Sequence, residues 1–410
     1  MVKSKFKNTD IGQIPEDWDL VRWNDVFDFK STASYSRAEI KSSRDVGYIH
    51  YGDIHTKIMA TLDVNKFVSG YISNKQVKTY TLIKEGDLIM ADASEDLSGV
   101  GKSFEVLNPP KKPVISGLHT FLIREKKNSF LANGFKGYFY FNPLIKKQYD
   151  SLATGLKVYS LSKASFQNIH IPLPLISEQR AIVQVLFEID SWVNVLEKLI
   201  AKKSKLKEGA MQILLTPKED WKVKKLGNYV KFQTGFPFPS EFFNRKNLGV
   251  RLIKNRDLRS DEAVYYFSGK YVKEFIVNNG DLLIGMDGDF EPILWSKGFA
   301  LLNQRVGRVQ KIKEISIPFL SFILVKELKK IEIITSCTTV KHLSHSDVEN
   351  IELKIPSYNE QTRIASILSD MDTEIENLRI KLAKAKQLKQ GMMQELLTGK
   401  IRLVNTLQTS

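Results

Sequence analysis

Two stretches of the sequence contain residue types that could bind phosphate or metal. Gly99-Val100-Gly101-Lys102-Ser103 has the ending of a phosphate-binding loop, but Asp96 stands where the leading glycine is needed. Cys337 lies near His342 and His345, yet no further ligand pair with zinc spacing accompanies them. We therefore predict neither a nucleotide site nor a zinc site here.

Two other stretches are also incomplete as catalytic sites. Asp287, Asp289 and Glu291 could form an acidic metal cluster, but the same spacing is typical of a polar turn. Asn108-Pro109-Pro110 resembles the motif with which adenine methyltransferases stack an aromatic ring on a flipped base, but Lys111 replaces that ring. No glycine-rich cofactor loop precedes it. The chain is therefore expected to catalyse no bond-making reaction by itself.

Basic residues alternate with aromatic residues at several places, as they do on nucleic-acid surfaces. The candidate contacts to DNA from this pattern are Lys157, Tyr159, Lys341, His342 and Arg256. A solvated charged surface is the alternative for each of them. For the lysines of the segment 202–207, a solvated helix face and a role in tracking a DNA backbone both remain open.

The length, the net charge and the cysteine count of the chain limit its possible partners and cellular compartments. The 410 residues suffice for two or three domains, and the net charge of +15 predicts a polyanionic partner, whether nucleic acid, an anionic membrane face or an acidic protein. A single cysteine excludes an intramolecular disulfide and favours a reducing compartment. Met1–Asp10 lacks an apolar signal segment, and Ile315–Val325 is too short to span a bilayer. We expect a soluble cytoplasmic protein.

One unit of the sequence occurs twice without a gap. Its members Leu161-Ser162, Asn168-Ile169, Pro174, Glu178-Gln179, Asp190 and Leu214-Leu215-Thr216 return 182 residues later as Leu343-Ser344, Asn350-Ile351, Pro356, Glu360-Gln361, Asp372 and Leu396-Leu397-Thr398. A long ungapped match indicates a rigid element of fixed length. The chain is therefore predicted to be an internal duplication.

The repeated unit is predicted to be a long helix. Ser177 can cap its start, and apolar residues follow at spacings of three and four, including Leu206, with one break at Lys203. This pattern is typical of a coiled-coil seam. If the second helix packs antiparallel against the first, the C-terminus returns to the first domain and the two copies are related by an approximate two-fold axis.

Gly209 and Gly391 occupy the same position in the two predicted helices. A glycine inside a helix costs about 1 kcal/mol relative to alanine. This cost favours a close helix approach or a partner contact at both positions, with a tolerated glycine near a fraying end as the alternative.

The segments around these helices have the pattern of a mixed α+β fold. Strand patterns at Tyr48–Tyr51, Asp87–Met90 and His119–Ile123 alternate with turns, and Gly280-Asp281-Leu282 matches Gly86-Asp87-Leu88 in the second half. The expected domains are a first α+β domain with the N-terminal segment (1–174), a long helix (175–216), a second α+β domain (217–356), and a second long helix with the C-terminal tail (357–410).

Taken together, these features make the sequence resemble the specificity subunits of type I restriction-modification systems. The resemblance rests on the two repeated units with their helices, Ile14-Pro15-Glu16-Asp17-Trp18, the Gly-Asp-Leu strand signals, Ser98-Gly99-Val100-Gly101-Lys102 and Glu395-Leu396-Leu397-Thr398-Gly399-Lys400. It covers essentially the whole chain.

The resemblance implies an α+β chain with two pseudo-symmetric target recognition domains and two long antiparallel coiled-coil helices. Such a chain is a non-catalytic reader of double-stranded DNA, in which each domain reads half of a split asymmetric site and the helix pair sets the spacer. It seats two adenine-methylating modification subunits and, through them, restriction subunits. It holds no cofactor of its own, since S-adenosylmethionine, ATP and Mg²⁺ belong to the partners.

The resemblance also implies site residues. The segments 154–159 and 336–341 lead from each domain to its helix and are expected to approach DNA, with Lys102 as a further contact. The expected partner-binding residues are Glu178, Gln179, Glu360, Gln361, Gly209 and Gly391. The rival interpretations are a stand-alone methyltransferase or nuclease, and a coiled-coil scaffold that does not read DNA.

Overall fold

The computed structural model describes residues 5–57, 59–74, 77, 79–126, 130–260, 264–335 and 341–403. The chain divides into two compact units, of which unit 1 comprises residues 1–196 and 381–410 and unit 2 comprises residues 197–380. Both divisions fall inside a long helix. Among the described residues, no helix is long and apolar enough to cross a bilayer.

Unit 1 is a mixed α/β domain. Its helices are α1 (Trp23–Val26), α2 (Tyr51–Thr56), α3 (Pro143–Leu152) and the first half of α4 (Ile176–Leu214). Its strands are β1 (Phe6–Thr9), β2 (Gly12–Pro15), β3 (Asp19–Arg22), β4 (Phe27–Lys30), β5 (Val46–Ile49), β6 (Thr61–Leu62), β7 (Gly70–Ile72), β8 (Leu88–Ala91), β9 (Ala93–Ser94), β10 (Ser103–Val106), β11 (Val114–Ser116), β12 (Thr120–Glu125), β13 (Tyr159–Ser160) and β14 (His170–Leu173).

The strands of unit 1 form two main sheets. The larger has the order β4-β12-β8-β10-β6 and the smaller has the order β11-β5-β7. Three antiparallel pairs complete the unit, namely β1-β2, β13-β9 and β14-β3. The pairing of β14 with β3 places the extended lead-in to α4 beside the start of the domain, because Leu173 lies opposite Asp19.

Unit 2 has the same kind of architecture. Its strands are β15 (Lys222–Lys225), β16 (Val230–Thr234), β17 (Phe243–Asn244), β18 (Val250–Ile253), β19 (Tyr265–Phe267), β20 (Ile276–Val277), β21 (Leu282–Gly285), β22 (Pro292–Leu294), β23 (Ala300–Leu302), β24 (Val306–Lys311) and β25 (Glu352–Ile355). Its helices are α5 (Ile317–Thr335), α6 (His345–Glu349) and the first part of α7 (Tyr358–Leu396). The sheets have the orders β16-β24-β21-β22 and β17-β19-β18-β23-β20, and β15 pairs with β25.

The Gly-Asp-Leu signals mark equivalent turns in the two units. The Asp87 carboxylate accepts the Lys84 amide at 2.7 Å before β8, and the Asp281 carboxylate accepts the Asn278 amide at 2.9 Å before β21. Gly86 and the equivalent Gly280 both have positive φ, which the turn requires. The sequence signal therefore located the start of the same strand in both units.

The two long helices have the same length and the same place in the repeat. Each has 39 residues, and α7 begins and ends 182 positions after α4 (358 − 176 and 396 − 214). Ile182 and Leu186 of α4 share a core with Leu396 and Leu397 of α7 in unit 1. The opposite ends of the helices contribute in the same way to the core of unit 2.

One ion pair between the helices has an equivalent in the other unit. In unit 1 Asp190 of α4 binds Lys389 of α7, and in unit 2 Lys207 of α4 binds Asp372 of α7. Within unit 2, Lys203 also binds Glu374 at 2.7 Å, so residue numbers rise on one helix as they fall on the other. The helices are therefore antiparallel, as the resemblance implied.

The inward-facing lysines explain one departure from the predicted seam. Leu206 was expected in the seam, but it is half exposed, as is the equivalent Leu388. Lys207 and Lys389 turn inward instead, because each finds an aspartate on the other helix and an aromatic ring nearby. Apolar periodicity alone does not reveal such a paired charge.

The two equivalent ion pairs should differ in energy, because they differ in burial. The side chains of Lys389 and Asp190 are 7% and 17% exposed, against 22% and 48% for Lys207 and Asp372. Breaking a buried pair costs about 3 kcal/mol, whereas an exposed pair contributes at most about 1 kcal/mol. Lys389→Ala is therefore expected to lower the free energy of unfolding in urea far more than Lys207→Ala.

Lys203→Ala is the control, since its pair with Glu374 is also exposed and should contribute little. Equal losses of unfolding free energy for Lys389→Ala and Lys207→Ala would contradict the assignment of a buried pair to unit 1.

Candidate functional site

A short hairpin in unit 1 presents the first predicted DNA-contacting segment. Thr154 and Ser160 exchange both backbone hydrogen bonds, at 3.0 and 2.8 Å, and so close the loop between them. Gly155 has φ +127°, and a Cβ added there would lie 1.9 Å from the Val158 carbonyl oxygen, so only glycine fits. At the tip, Leu156 is 97% exposed and Lys157 is exposed beside it. The loop therefore holds an apolar side chain and a cation out into solvent.

Tyr159 lies at the base of this hairpin. It belongs to β13, which pairs with β9 so that Tyr159 lies opposite Ser94, and its ring is half-buried. The predicted contacts Lys157 and Tyr159 are thus brought onto one rigid structure.

Lys102, predicted as a contact to DNA, is partly buried and hydrogen-bonded within unit 1. Its ammonium donates to the His55 carbonyl at 2.7 Å, and burial lowers its pKa. The resemblance to a phosphate-binding loop also has a local cause. The Asp96 carboxylate accepts the Gly99 amide at 2.6 Å and so caps the turn Leu97–Gly99. Lys102 thus joins two parts of unit 1, and its contact to DNA stays a prediction.

A cluster of histidines beside the hairpin was not anticipated from the sequence. The Tyr51 ring centroid lies 4.7 Å from that of His50, 6.3 Å from that of His55 and 5.4 Å from that of His119. His119 also lies 3.4 Å from the Asp92 carboxylate, whose pKa is raised by burial. These residues come from three distant parts of the sequence and share no motif, so only the fold brings them together.

The equivalent region of unit 2 carries Lys341 and His342. Residues 336–340 of the predicted DNA-contacting segment lie outside the described residues. His342 forms a bridge with Asp287, its Nδ1 lying 3.0 Å from the carboxylate, and Lys341 lies 3.9 Å from the Glu332 carboxylate. Both predicted contacts therefore have an acidic neighbour, unlike Lys157.

Arg256 lines a cavity of about 510 Å³ in unit 2 and is exposed. Arg259, on the same wall, is bound by Asp289 at 2.6 Å and by Glu291 at 2.7 Å. Two of the three acidic residues considered for a metal cluster thus neutralise an arginine. No group of three potential ligands in the described part of the chain is arranged to hold a metal ion.

Three residues predicted to bind partners are buried, and the structure corrects their role. Glu178 is fully buried and accepts hydrogen bonds from Trp18 Nε1 at 3.0 Å and from Arg402 Nε at 2.7 Å. Gln179 and Gln361 are also buried. In this structure these three side chains are hydrogen-bonded inside their own unit and do not lie at its surface.

The two glutamines make matching hydrogen bonds at the start of each helix. Gln179 accepts from the Ala132 amide at 2.8 Å and donates to the Pro174 carbonyl at 2.9 Å. Gln361 accepts from the Ser316 amide at 3.0 Å and donates to the Pro356 carbonyl at 3.0 Å. Their repetition in the sequence thus reflects the attachment of a domain to its helix.

The remaining predicted partner residues lie at the surface or close to it. A Cβ added at Gly209 or Gly391 would meet no described atom within 4 Å. The prediction that these glycines allow a close approach of another helix of the same chain is therefore wrong. Leu206 and Leu388 lie three residues before them and are 51% and 53% exposed. Glu360 is bound by Lys218 at 2.6 Å. The glycines and leucines form the same small open apolar surface on both helices.

The two halves of the chain both match one family of proteins. The model of the type I restriction modification DNA specificity domain matches residues 15–208 and again residues 218–386. The chain belongs to this specificity family. The internal duplication and the resemblance found in the sequence are thereby confirmed.

Relatives of this specificity-family chain match either its whole length or about half of it. The type I restriction enzyme MjaVIII specificity subunit of Methanocaldococcus jannaschii is 28% identical over 98% of this chain and 97% of that protein. The EcoBI specificity subunit of Escherichia coli is 31% identical over 46% of this chain and 41% of that protein. A type I restriction-modification S subunit from M. genitalium covers 96% of this chain and 99% of that one, with a TM-score of 0.61 at 14% identity. The predicted fold class is confirmed.

The hairpin at Thr154–Ser160 should depend on glycine at position 155. Gly155→Ala combines positive φ with a backbone clash, which costs about 1–3 kcal/mol, so amides of the hairpin should exchange about tenfold faster or more. Hydrogen–deuterium exchange on the full chain measures this. Leu156→Ala is the control and should leave exchange unchanged, since its side chain is 97% exposed. Unchanged exchange in Gly155→Ala would contradict the described loop geometry.

Proposed function

We propose that this type I specificity subunit reads double-stranded DNA with two different domains, each recognising one half of a split asymmetric site. The observation that carries the proposal is that the two units share one backbone frame and differ in the side chains mounted on it. A pair of identical readers would instead favour a symmetric site.

The shared frame is visible in equivalent hydrogen bonds. The Leu161 amide donates to the Asp92 carbonyl at 2.8 Å in unit 1, and the Leu343 amide donates to the Met286 carbonyl at 2.8 Å in unit 2. On this frame the pair Tyr159-Ser160 is replaced by Lys341-His342. Because base edges are read by the donors and acceptors of side chains, such replacements would change the recognised bases without moving the backbone.

We further propose that the helices seat two modification subunits, which carry the adenine methylation chemistry, and that restriction subunits join through them. The matched surfaces at Leu206-Gly209 and Leu388-Gly391 support two equal seats, because each combines an exposed leucine with a glycine that leaves backbone uncovered. S-adenosylmethionine, ATP and Mg²⁺ would then be held by these partners.

A stand-alone methyltransferase or nuclease is the rival function. The stretch that resembles a phosphate-binding loop is closed by the Asp96 carboxylate, and Lys111 stands in place of the stacking aromatic ring. Methyl transfer by the purified chain without a modification subunit would contradict the proposal. A scaffold that does not read DNA would bind duplexes with no sequence preference even in the assembled complex.

Exchanging one domain should change one half of the recognised sequence. Replacing residues Trp221–Ile355 by those of a relative, in complex with the modification subunits, should alter only one half-site in the map of methylated adenines, because that segment carries one reader. The exchange of the first domain is the matched control and should alter the other half only. A change in both halves after either exchange would contradict one domain per half-site.

Gly209→Ala and Gly391→Ala should stabilise the isolated chain and weaken its assembly. Alanine is favoured over glycine in a helix by about 1 kcal/mol, and nothing in the chain opposes the added methyl group. A partner that packs on the uncovered backbone would be displaced by it. Thermal unfolding of the isolated chain and titration with the modification subunit measure the two effects.

Lys231→Ala, an exposed change on strand β16, is the control for assembly. Raised unfolding temperature with unchanged binding of the modification subunit would show that the glycines are merely tolerated and do not seat the partner.

A further inference from the structure

Three cationic side chains of unit 2 gather around one tyrosine. The Lys254 ammonium lies 3.2 Å from the centroid of the Tyr265 ring, and the Arg245 guanidinium lies 4.9 Å from the same centroid. Arg245 also donates a hydrogen bond to the Tyr265 hydroxyl at 2.9 Å. Arg256 is exposed in the helical turn Asn255–Leu258, which begins directly after Lys254. The pKa of Tyr265 is lowered mainly by the hydrogen bond and charge of Arg245.

The loop that carries Arg245 is held in one shape by Asn244. The Asn244 side chain accepts the amides of Lys246 and Leu248 at 3.1 Å each and donates to the Leu248 carbonyl at 2.9 Å. Gly249 ends the loop with φ +92°, where a Cβ would lie 2.0 Å from the Phe267 carbonyl oxygen. Arg245 is thus presented by a fixed loop, which lowers the entropy that a ligand must overcome.

Among the described residues, no acidic side chain forms an ion pair with Arg245, Lys254 or Arg256, although the charge of buried Asp257 offsets part of that of Lys254. Asp257, beside Lys254, is 1% exposed, and its carboxylate accepts the Lys254 backbone amide at 3.0 Å. By contrast, Arg259 on the neighbouring surface is neutralised by two acidic residues. Like charges held together at a surface favour an anionic ligand, since such a ligand relieves their repulsion.

Unit 1 lacks this cluster at equivalent positions. Aligning β5 with β18 and β7 with β19 by their pairing places His50 at the position of Lys254, Gly52 at that of Arg256 and Gly70 at that of Tyr265. The shared fold therefore does not require these cations. Their presence in unit 2 alone indicates a task specific to that unit.

We propose that Arg245, Lys254 and Arg256 form a phosphate-binding site in unit 2 that grips the backbone of duplex DNA. Arg245 offers guanidinium donors beyond the one used by Tyr265, and Lys254 and Arg256 offer further N–H donors. Tyr265 is a positioning residue that holds two of the cations. The proposal rests on the DNA-reading function proposed above and deepens it by naming the ligand as phosphodiester oxygens and the contacts as independent of sequence.

The test is the salt dependence of duplex binding by the full chain in complex with its modification subunits. Removing one phosphate contact makes the slope of log K against log salt shallower by about 0.9, so the triple variant Arg245→Ala, Lys254→Ala, Arg256→Ala should be shallower by up to about 2.7. The methylated sequence should stay the same. Lys254→Arg retains the charge and should retain the slope.

A second triple variant removes the same charge elsewhere in unit 2. Lys231, Lys313 and Lys354 are exposed, and their replacement by alanine should change the slope by less than about 0.9 in total. Equal flattening by both triple variants would overturn the site, because net charge alone would explain it. An unchanged slope in the first triple variant would overturn it as well.

Inorganic phosphate distinguishes the source of the oxyanion. Loss of inorganic phosphate binding in the first triple variant, with unchanged duplex binding, would overturn DNA as the ligand and indicate a site for a small phosphate. If the wild-type complex itself binds duplexes without sequence preference, the proposed function fails. A wild-type complex with sequence preference and an unaffected triple variant would leave that function standing and remove this site alone.

Discussion

One buried glutamine fastens each long helix to the domain that precedes it. The amide of Gln179 joins the Ala132 segment to the lead-in at Pro174, and Gln361 joins Ser316 to Pro356 in the same way. Removing such an amide would leave buried backbone groups without partners, at about 1–3 kcal/mol each. A helix can fix the distance between two domains only if both are rigidly attached to it. The proposed spacing of the DNA contacts therefore depends on these two side chains.

The repeat, the helices and the strand starts could be predicted from the sequence, because each has a local signal. The capped turns at Asp87 and Asp281 and the extended lead-ins to the helices are set by residues that are neighbours in the chain. The roles of Glu178 and Lys102 could not be predicted. Their partners, Arg402 and the His55 carbonyl, are distant in the sequence. The residue type alone does not distinguish an exposed charge from a buried charge that has a partner. The histidine cluster around Tyr51 escaped for the same reason.

The two units keep hydrogen bonds of the backbone and change what the side chains offer. In unit 1 the Asp92 amide donates to the His119 carbonyl, and in unit 2 the Met286 amide donates to the Arg305 carbonyl. Met286 and Arg305 are therefore the backbone equivalents of Asp92 and His119. These hydrogen bonds join main-chain atoms, so they do not require a particular side chain at either position. These positions can therefore diverge in recognition chemistry while the fold is retained.

The junction between domain and helix is closed by different means in the two units. In unit 2, α4 continues through the peptide chain to Trp221, whose indole N–H is buried and lacks a partner among the described residues. In unit 1, the equivalent junction joins two segments that are far apart in the sequence, around Trp18 and around Arg402. Arg402 there binds Asp17 at 2.6 Å and Glu178 at 2.7 Å.

The Trp18 indole N–H, equivalent to that of Trp221, donates to Glu178 in the same network. A covalent connection holds its ends at no cost in association entropy, whereas a non-covalent one must be stabilised by contacts. This difference is consistent with the buried arginine–carboxylate network at the junction of unit 1, whereas the described ion pairs at the junction of unit 2 are the partly exposed ones of Glu360 with Lys218 and Arg363. In the described residues, unit 1 thus joins the Trp18 segment to the Arg402 segment through side chains, whereas unit 2 joins α4 to Trp221 through the backbone.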